Sequence, residues 1–238
     1  MSQADRFLKA CRREKTDCTP IWLMRQAGRH LPDYGELLGK HGLMDLIKTP
    51  ELAVQVVRLP VDEFGVDAAI ACSDVLIVLE GMGVPLRFED GKGGIIERRI
   101  RSHADIESLI TPPPETAAKE VLKSLRESCR ELRGVVPVIG FSGAPFTLAS
   151  YAIEGHRPKH YKLVKALMYG DRRWWHKLME KLTRQVGDYL IAQVKAGAKA
   201  LQIFDSWVGT LSPYDFREFV LPHTQRLINQ VKEACPTD

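Results

Sequence analysis

The chain has 238 residues, of which 45% are hydrophobic and 27% are charged, a composition ordinary for a globular protein. The formal net charge of +4 is small, and the basic residues are dispersed along the chain, which argues against a nucleic-acid-binding protein. No apolar run is long enough to cross a bilayer, and the first residues lack the apolar stretch of a signal peptide, so we expect a cytoplasmic protein with no membrane partner.

The cysteines are five in number and far apart in the sequence: Cys11, Cys18, Cys72, Cys129 and Cys235. There is no CxxC pair and no His–Cys cluster, so the sequence supports neither a disulfide framework nor a zinc site. We therefore expect no bound metal and free thiols in a reducing compartment.

Apolar segments alternate with helical ones along the chain. After an N-terminal helix, four segments are predicted as strands, starting near Pro20, Val66, Val135 and Ala200. The third is predicted to end at Phe141, before a loop over Ser142–Pro145, and the fourth to end at Phe204. Helices are predicted from Thr49–Pro50 to Gly65, over Thr116–Arg133 and Asp171–Ala196, and from Ser212–Pro213 to about Lys232. This alternation indicates an α/β protein whose parallel sheet is covered by helices.

Two regions interrupt the alternation. Leu86–Arg101 is predicted as a β-hairpin that turns around Gly91–Gly94. A phosphate-binding loop is the alternative, but it requires a helix after the glycines, and Ile95-Ile96 follow instead. Thr111–Pro114, with three consecutive prolines, is predicted as a stiff connector.

Two arginines follow the first predicted strand. The apolar run Ile21–Met24 stops at Arg25, and Arg29 comes four residues later, so a helical turn would place both on one face. Gly28 allows the backbone to approach a ligand closely. Two guanidiniums at the end of a buried strand predict a clamp for carboxylate or phosphate groups. The alternative is two solvated arginines in a basic loop.

The segment Met24–Tyr34, MRQAGRHLPDY, resembles the signature of the uroporphyrinogen decarboxylase family. Three further segments resemble the same family in order: Ala71–Asp74, Gly140–Leu148 and Phe204–Trp207. The resemblance runs from about Phe7 to the last residue. It implies a (β/α)8 TIM barrel, a homodimer, and a carboxy-lyase that removes the four acetate carboxyls of uroporphyrinogen III without a cofactor, giving coproporphyrinogen III in porphyrin and haem biosynthesis.

The resemblance also implies roles for individual residues. Asp74 would accept hydrogen bonds from the pyrrole N–H groups and stabilise the cationic transition state, while Arg25 and Arg29 would hold substrate carboxylates and act electrostatically. The substrate-binding set comprises Arg25, Gln26, Ala27, Gly28, Arg29, Asp74, Tyr151 and Ser206. From the residues alone, Asp74 and Ser206 could instead cap turns, and Tyr151 could pack in a groove between helices.

Four strand–helix units occupy the whole of residues 1–238, whereas a closed (β/α)8 barrel needs eight strands. We therefore expect residues 1–238 to form a single barrel domain that is incomplete at its C-terminal end. Made alone, such a chain is expected to associate or aggregate through uncovered strand edges and to lack decarboxylase activity.

Two other functions stay open. A corrinoid-dependent methyltransferase of the same superfamily would bind zinc through His and Cys ligands. A non-catalytic porphyrinogen-binding fragment would bind the macrocycle without releasing CO2. The paired arginines favour the decarboxylase over the methyltransferase, and macrocycle binding without CO2 release would identify the binding fragment.

Overall fold

The computed structural model describes residues 2–24, 31–89, 93–155 and 160–236. The helices are α1 (Gln3–Cys11), α2 (Pro32–His41), α3 (Leu43–Lys48), α4 (Pro50–Phe64), α5 (Ile77–Gly81), α6 (His103–Ser108), α7 (Pro114–Ala117), α8 (Lys119–Glu131), α9 (Pro145–Glu154), α10 (Lys162–Gly170), α11 (Arg172–Lys195), α12 (Pro213–Phe219) and α13 (Leu221–Ala234). The strands are β1 (Ala69–Ile70), β2 (Leu86–Glu89), β3 (Gly93–Ile96), β4 (Val138–Gly143) and β5 (Ala200–Phe204). Within these ranges no helix is both long enough and apolar enough to span a membrane.

The central sheet has three strands in the order β1-β4-β5. β1 and β4 are parallel, with Ala69 beside Val138 and Ile70 beside Ile139. Every residue of β4 is buried, as expected for a strand covered on both faces. The predicted α/β class with a parallel sheet is therefore confirmed.

The strands differ from the prediction in their extent. β5 begins and ends where the sequence places it, whereas β1 covers only two residues of the apolar run that starts at Val66. β4 starts three residues after Val135, because the N–H of Val135 still bonds to the carbonyl of Leu132 in the turn after α8. At its other end β4 continues to Gly143, through the first part of the predicted loop.

The strand predicted to start near Pro20 is wrong for residues 20–24, which form no strand. The N–H of Ile21 donates to the carboxylate of Asp67 at 2.7 Å, and its carbonyl accepts from the N–H of Asp67 at 2.8 Å. A side-chain carboxylate thus takes the place of a strand partner's carbonyl. The side chains of Ile21, Leu23 and Met24 are each more than half exposed, so the segment is not a buried strand.

Three of the predicted helices can be compared in detail. Thr116–Arg133 is divided between α7 and α8, because Ala118 leaves helical geometry at φ −128° and ψ 31°. The last predicted helix breaks at Val220, where Pro222 has no N–H for the carbonyl of Glu218. The longest helix, α11, agrees with the prediction to within one residue at each end. Six helices, α2, α3, α5, α6, α9 and α10, were not predicted.

The predicted hairpin is confirmed by its strands. β2 and β3 are antiparallel, with Leu86 opposite Ile96 and Glu89 opposite Gly93. Residues 90–92, at the turn, lie outside the described residues. β3 does not lead into a helix but into the segment before α6, which disfavours the phosphate-loop alternative.

The chain divides into two compact units, and the first comprises Met1–Asp74, Lys119–Phe141 and Ala192–Gln202. In this unit α4 packs against α3, α8 and β1. Its helical core consists of apolar side chains that are almost completely buried: Leu46, Ile47, Ala53, Val56, Val57, Leu122 and Leu125. α4 ends where it was predicted to, because Gly65 adopts the left-handed conformation at φ 59°.

The second unit comprises Val75–Ala118, Ser142–Ile191 and Ile203–Asp238, and it includes α11 as far as Ile191. The ammonium of Lys181 donates to the carbonyls of Ile106, Glu107 and Leu109 at 2.8–2.9 Å, which satisfies the C-terminal end of α6. One turn further along α11, the amide of Gln185 donates to the carbonyl of Pro112 at 2.9 Å. These bonds fix the proline-rich connector against α11.

A buried glutamine completes the hydrogen bonding of β4 within the first unit. The amide of Gln193 accepts from the N–H of Phe141 at 2.7 Å and donates to its carbonyl at 2.8 Å. Gly140 leaves the space for this pairing, since a Cβ there would lie 2.5 Å from Oε1 of Gln193 and 3.1 Å from Leu201. A side chain at position 140 would therefore push the amide away from the strand.

We expect Gly140→Ala to lower the free energy of unfolding by about 1–3 kcal/mol, because it overpacks the core and disturbs two buried hydrogen bonds. Urea denaturation monitored by tryptophan fluorescence measures the change. Gly39→Ala in α2 is the matched control, since a Cβ there meets nothing within 4 Å and alanine favours the helix. Equal stability of the two variants would contradict the prediction.

Candidate active site

Asp74 follows β1 at the carboxyl end of the sheet. The N–H of Ala71 donates to the carbonyl of Ile139 at 2.9 Å, so the parallel pairing of β1 with β4 extends one residue past Ile70. Cys72 is turned inward, where its thiol donates to the carbonyl of Leu46 at 3.6 Å and burial raises its pKa to about 12. Asp74 itself is half-buried and belongs to the first unit.

The predicted clamp and its neighbours, Arg25, Gln26, Ala27, Gly28 and Arg29, lie outside the described residues. The chain that leads to them is anchored by Asp67, which is 5% exposed and accepts from Arg6 at 2.6 Å as well as from Ile21. Arg6 also holds Asp17 through two bonds of 2.8 and 2.9 Å, and this hydrogen bonding lowers the pKa of Asp17. The residues that lead into the signature segment are therefore tied to the chain just before β1.

An aspartate after β5 forms the most closely connected polar group of the second unit. Oδ1 of Asp205 accepts from the hydroxyl of Thr147 at 2.8 Å, and Thr147 is 1% exposed. Burial raises the pKa of Asp205, and hydrogen bonds from the hydroxyl and the backbone of Thr147 oppose that rise. The N–H of Trp207 donates to the same hydroxyl at 3.4 Å, so Thr147 links both sides of the loop that contains Ser206.

Aromatic rings line the same region. The ring of Tyr151 lies 5.8 Å from that of Trp207, and the ring of Tyr161 lies 6.1 Å from Trp207 on centroid distances. Nε1 of Trp207 is buried and has no hydrogen-bond acceptor among the described residues. The backbone of Tyr161 is left-handed at φ 52°, and burial raises the pKa of its hydroxyl.

The structure brings together some of the predicted residues. Tyr151 is half-buried and Ser206 is exposed, and both contribute to the second unit beside the Thr147–Asp205 pair. Asp74 contributes to the first unit. Thr147, Asp205 and Trp207 were not predicted as site residues, although all three stand inside segments that resemble the family. Their position inside these segments, together with their polar groups, was the signal that could have identified them.

Phe146 lies in one of the segments that resemble the family. It is fully buried and meets the edge of the Trp175 ring at 6.0 Å, so it is a core residue. Among residues 2–24, 31–89, 93–155 and 160–236, no three His, Cys, Asp or Glu side chains come together in a group that could hold a metal ion.

The fold and these residues define an α/β protein with a parallel, three-stranded sheet. An aspartate follows two of its strands, Asp74 after β1 and Asp205 after β5. The family model described as "Uroporphyrinogen decarboxylase (URO-D)" matches residues 2–237. The chain belongs to the uroporphyrinogen decarboxylase family.

Curated relatives agree with this assignment. Uroporphyrinogen decarboxylase of Roseiflexus sp. (strain RS-1) is 50% identical over 97% of this chain, and that of Chloroflexus aurantiacus (strain J-10-fl) is 53% identical over 96%. The chain spans 66% and 64% of the length of these two proteins. A solved structure, a methyltransferase from Methanosarcina mazei, is similar with a TM-score of 0.78 over 97% of this chain and 67% of that one. At 21% identity this likeness shows the fold alone.

We expect Asp205→Asn to gain stability relative to the parent chain as the pH rises from about 4 to 7. The folded state raises the pKa of Asp205 above its ordinary value of 3.8. Stability linked to its proton is therefore present at acidic pH and is lost as the pH rises through the folded-state pKa. Asparagine cannot ionise and can accept the same hydrogen bonds.

Urea denaturation at several pH values measures this difference. Asp33→Asn, an exposed carboxylate at the start of α2, is the control and should not gain stability with rising pH. If the difference in the free energy of unfolding between Asp205→Asn and the parent chain stays constant over this pH range, burial does not disfavour the ionised form of Asp205.

Proposed function

We propose that this chain carries the substrate clamp and the catalytic carboxylate of a uroporphyrinogen decarboxylase. The observation that carries the proposal is 50–53% identity with proteins of that name along 96–97% of the chain. The reaction is the stepwise loss of CO2 from the four acetate side chains of uroporphyrinogen III, which gives coproporphyrinogen III. Such an enzyme is a carboxy-lyase of porphyrin and haem biosynthesis.

The proposed architecture is a single domain of the (β/α)8 TIM barrel family over residues 1–238. The parallel pairing of β1 with β4 and the order β1-β4-β5 support it, since consecutive strands of such a barrel are neighbours. In that architecture the residues after the strands, Asp74 and Asp205 among them, face the ligand. A homodimer, a cytoplasmic location and the absence of nucleic-acid partners are parts of the same proposal.

The chemistry explains why a carboxylate is needed. When CO2 leaves an acetate arm, the bonding electrons need an acceptor. Protonation of the neighbouring pyrrole carbon makes the ring cationic, and the ring then takes up those electrons. A fixed carboxylate beside the ring stabilises this cation electrostatically in a site shielded from water. We assign this role to Asp74, and the reaction then requires neither a metal nor an organic cofactor.

The remaining residues bind and orient the macrocycle. Arg25 and Arg29 hold substrate carboxylates through bidentate hydrogen bonds, with Gln26, Ala27 and Gly28 bringing the backbone close. Tyr151 and Ser206 donate hydrogen bonds to further carboxylates. Support for this placement of Tyr151 comes from its ring contact with Trp207, which limits the positions that its hydroxyl can take.

We predict that a chimera in which this chain replaces the 228 matching residues of the Chloroflexus aurantiacus relative releases CO2 from uroporphyrinogen. In that chimera, Asp74→Asn should still bind porphyrinogen but turn over about a hundred- to a thousandfold more slowly, because one electrostatic group is lost. CO2 release and porphyrinogen binding are measured separately, and Glu120→Gln, which removes an exposed carboxylate of α8, is the control.

Near-normal turnover by Asp74→Asn would contradict the role of Asp74. Porphyrinogen binding by the unmodified chimera without any CO2 release would instead favour the non-catalytic binding fragment.

The clamp is tested by affinity. We expect Arg25→Ala and Arg29→Ala each to weaken porphyrinogen binding by about tenfold or more, since each loses charge-assisted hydrogen bonds. Arg→Lys at the same positions should restore binding only in part, because lysine lacks the planar fork. Arg12→Ala, an exposed arginine after α1, is the control. Affinities unchanged by both alanines would identify solvated loop arginines.

A further inference from the structure

A second concave region lies in the first unit, at the opposite end of the sheet from Asp74. It is a cavity of about 640 Å³ lined by α1, by α8 and its following loop, and by the segment between α11 and β5. Pro137 and Lys199, which immediately precede β4 and β5, form part of its wall. Because β1 and β4 are parallel, these residues mark the amino ends of the strands, whereas Asp74 follows the carboxyl end of β1.

The lining of this cavity is strongly cationic. Four of its side chains carry positive charge, namely Arg126, Arg130, Arg133 and Lys199, and one, Glu127, carries negative charge, so the formal charge is +3. Glu127 is already bound to Arg130 at 2.6 Å. Among the described residues, no carboxylate lies within 4 Å of the charged groups of Arg126, Arg133 or Lys199.

Helix electrostatics explains only part of this arrangement. Arg130 lies in the last turn of α8, where the helix dipole favours a cation. Lys199 comes from a different segment. Burial raises the pKa of Cys129 to about 11, and the positive charge of Lys199 opposes that rise. The ammonium of Lys199 therefore acts on the same cavity wall as Cys129. Cations that line one cavity repel one another, and a bound anion would relieve that repulsion.

The walls between the charges are apolar. Leu132 and Val136 are buried, at 2% and 3% exposure, and Leu8 of α1 also lines the cavity. A volume of about 640 Å³ falls in the range that binds small organic molecules, roughly 300–1,000 Å³. Cationic and apolar lining residues together favour an organic ligand that carries anionic groups on a hydrocarbon framework.

We propose that this cavity binds a small organic polyanion with two or more carboxylate or phosphate groups. The site is distinct from the proposed porphyrinogen site, and it does not depend on the decarboxylase assignment. The ligand's anionic groups contact Arg126, Arg133 and Lys199, while its carbon body packs on Leu132 and Val136.

Titration calorimetry with two probes tests the proposal on the whole chain. Citrate represents polycarboxylates and pyrophosphate represents phosphorylated compounds, and the tighter of the two identifies the preferred anionic group. We expect saturable binding of at least one probe that weakens as sodium chloride is added, because partly exposed charges are screened. Arg133→Gln and Lys199→Gln should each weaken that binding by about tenfold, the effect of losing one charge-assisted hydrogen bond.

Lys123→Gln is the matched control, because it removes the same charge from an exposed position of α8 that does not line the cavity. Its affinity for the probe should equal that of the parent chain. The proposal is overturned if neither probe binds, or if Lys123→Gln weakens binding as much as Arg133→Gln and Lys199→Gln do. Circular dichroism spectra of the variants establish that each one is folded.

Discussion

The pairing between the amide of Gln193 and the backbone of Phe141 is the constraint on which the buried strand β4 depends. Both groups are buried, and an unsatisfied buried donor or acceptor costs about 1–3 kcal/mol. The amide satisfies the N–H and the carbonyl of Phe141 together, and the missing side chain at Gly140 makes room for it. β4 can therefore remain extended and fully buried as far as Gly143.

The position of α9 depends on that extension of β4. The N–H of Ala144 bonds to the carbonyl of Phe204 at 2.9 Å, and α9 begins at Pro145, whose missing N–H is not needed in the first turn. This start places Thr147 where its hydroxyl meets Asp205 at 2.8 Å. The hydrogen-bonded pair in the loop after β5 is thus a consequence of how β4 ends.

A buried carboxylate has a comparable role just before β1. Asp67 interrupts an apolar run, and an unpaired charge would be costly there. Its partners are Arg6 and the N–H of Ile21, which are distant from it in sequence. Asp67 thus ties α1 and the residues that precede the signature segment to the chain just before β1. Local β-propensity alone would have favoured a longer strand.

Charge in this chain is more concentrated in space than in sequence. A net charge of +4 over 238 residues is unremarkable, yet four cations and one carboxylate line a single cavity of the first unit. Clefts lined by one sign of charge attract ligands of the other sign. Arg126 and Arg130 are one helical turn apart, so their proximity could be predicted from the sequence. Their proximity to Lys199 could not, because the α11–β5 connection creates it.

The sequence by itself determined the α/β class, the limits of α11 and β5, the hairpin strands and the membership of a family. These features depend on local periodicity, on glycine at helix ends and on long ungapped motifs. Tertiary structure alone decided that Ile21, Leu23 and Met24 are exposed, that β4 runs to Gly143, and that Thr147, Asp205 and Trp207 form one group. Each of these depends on a hydrogen bond between residues about 46 to 60 positions apart. A hydrogen bond over such a sequence separation produces no repeating pattern from which it could be predicted.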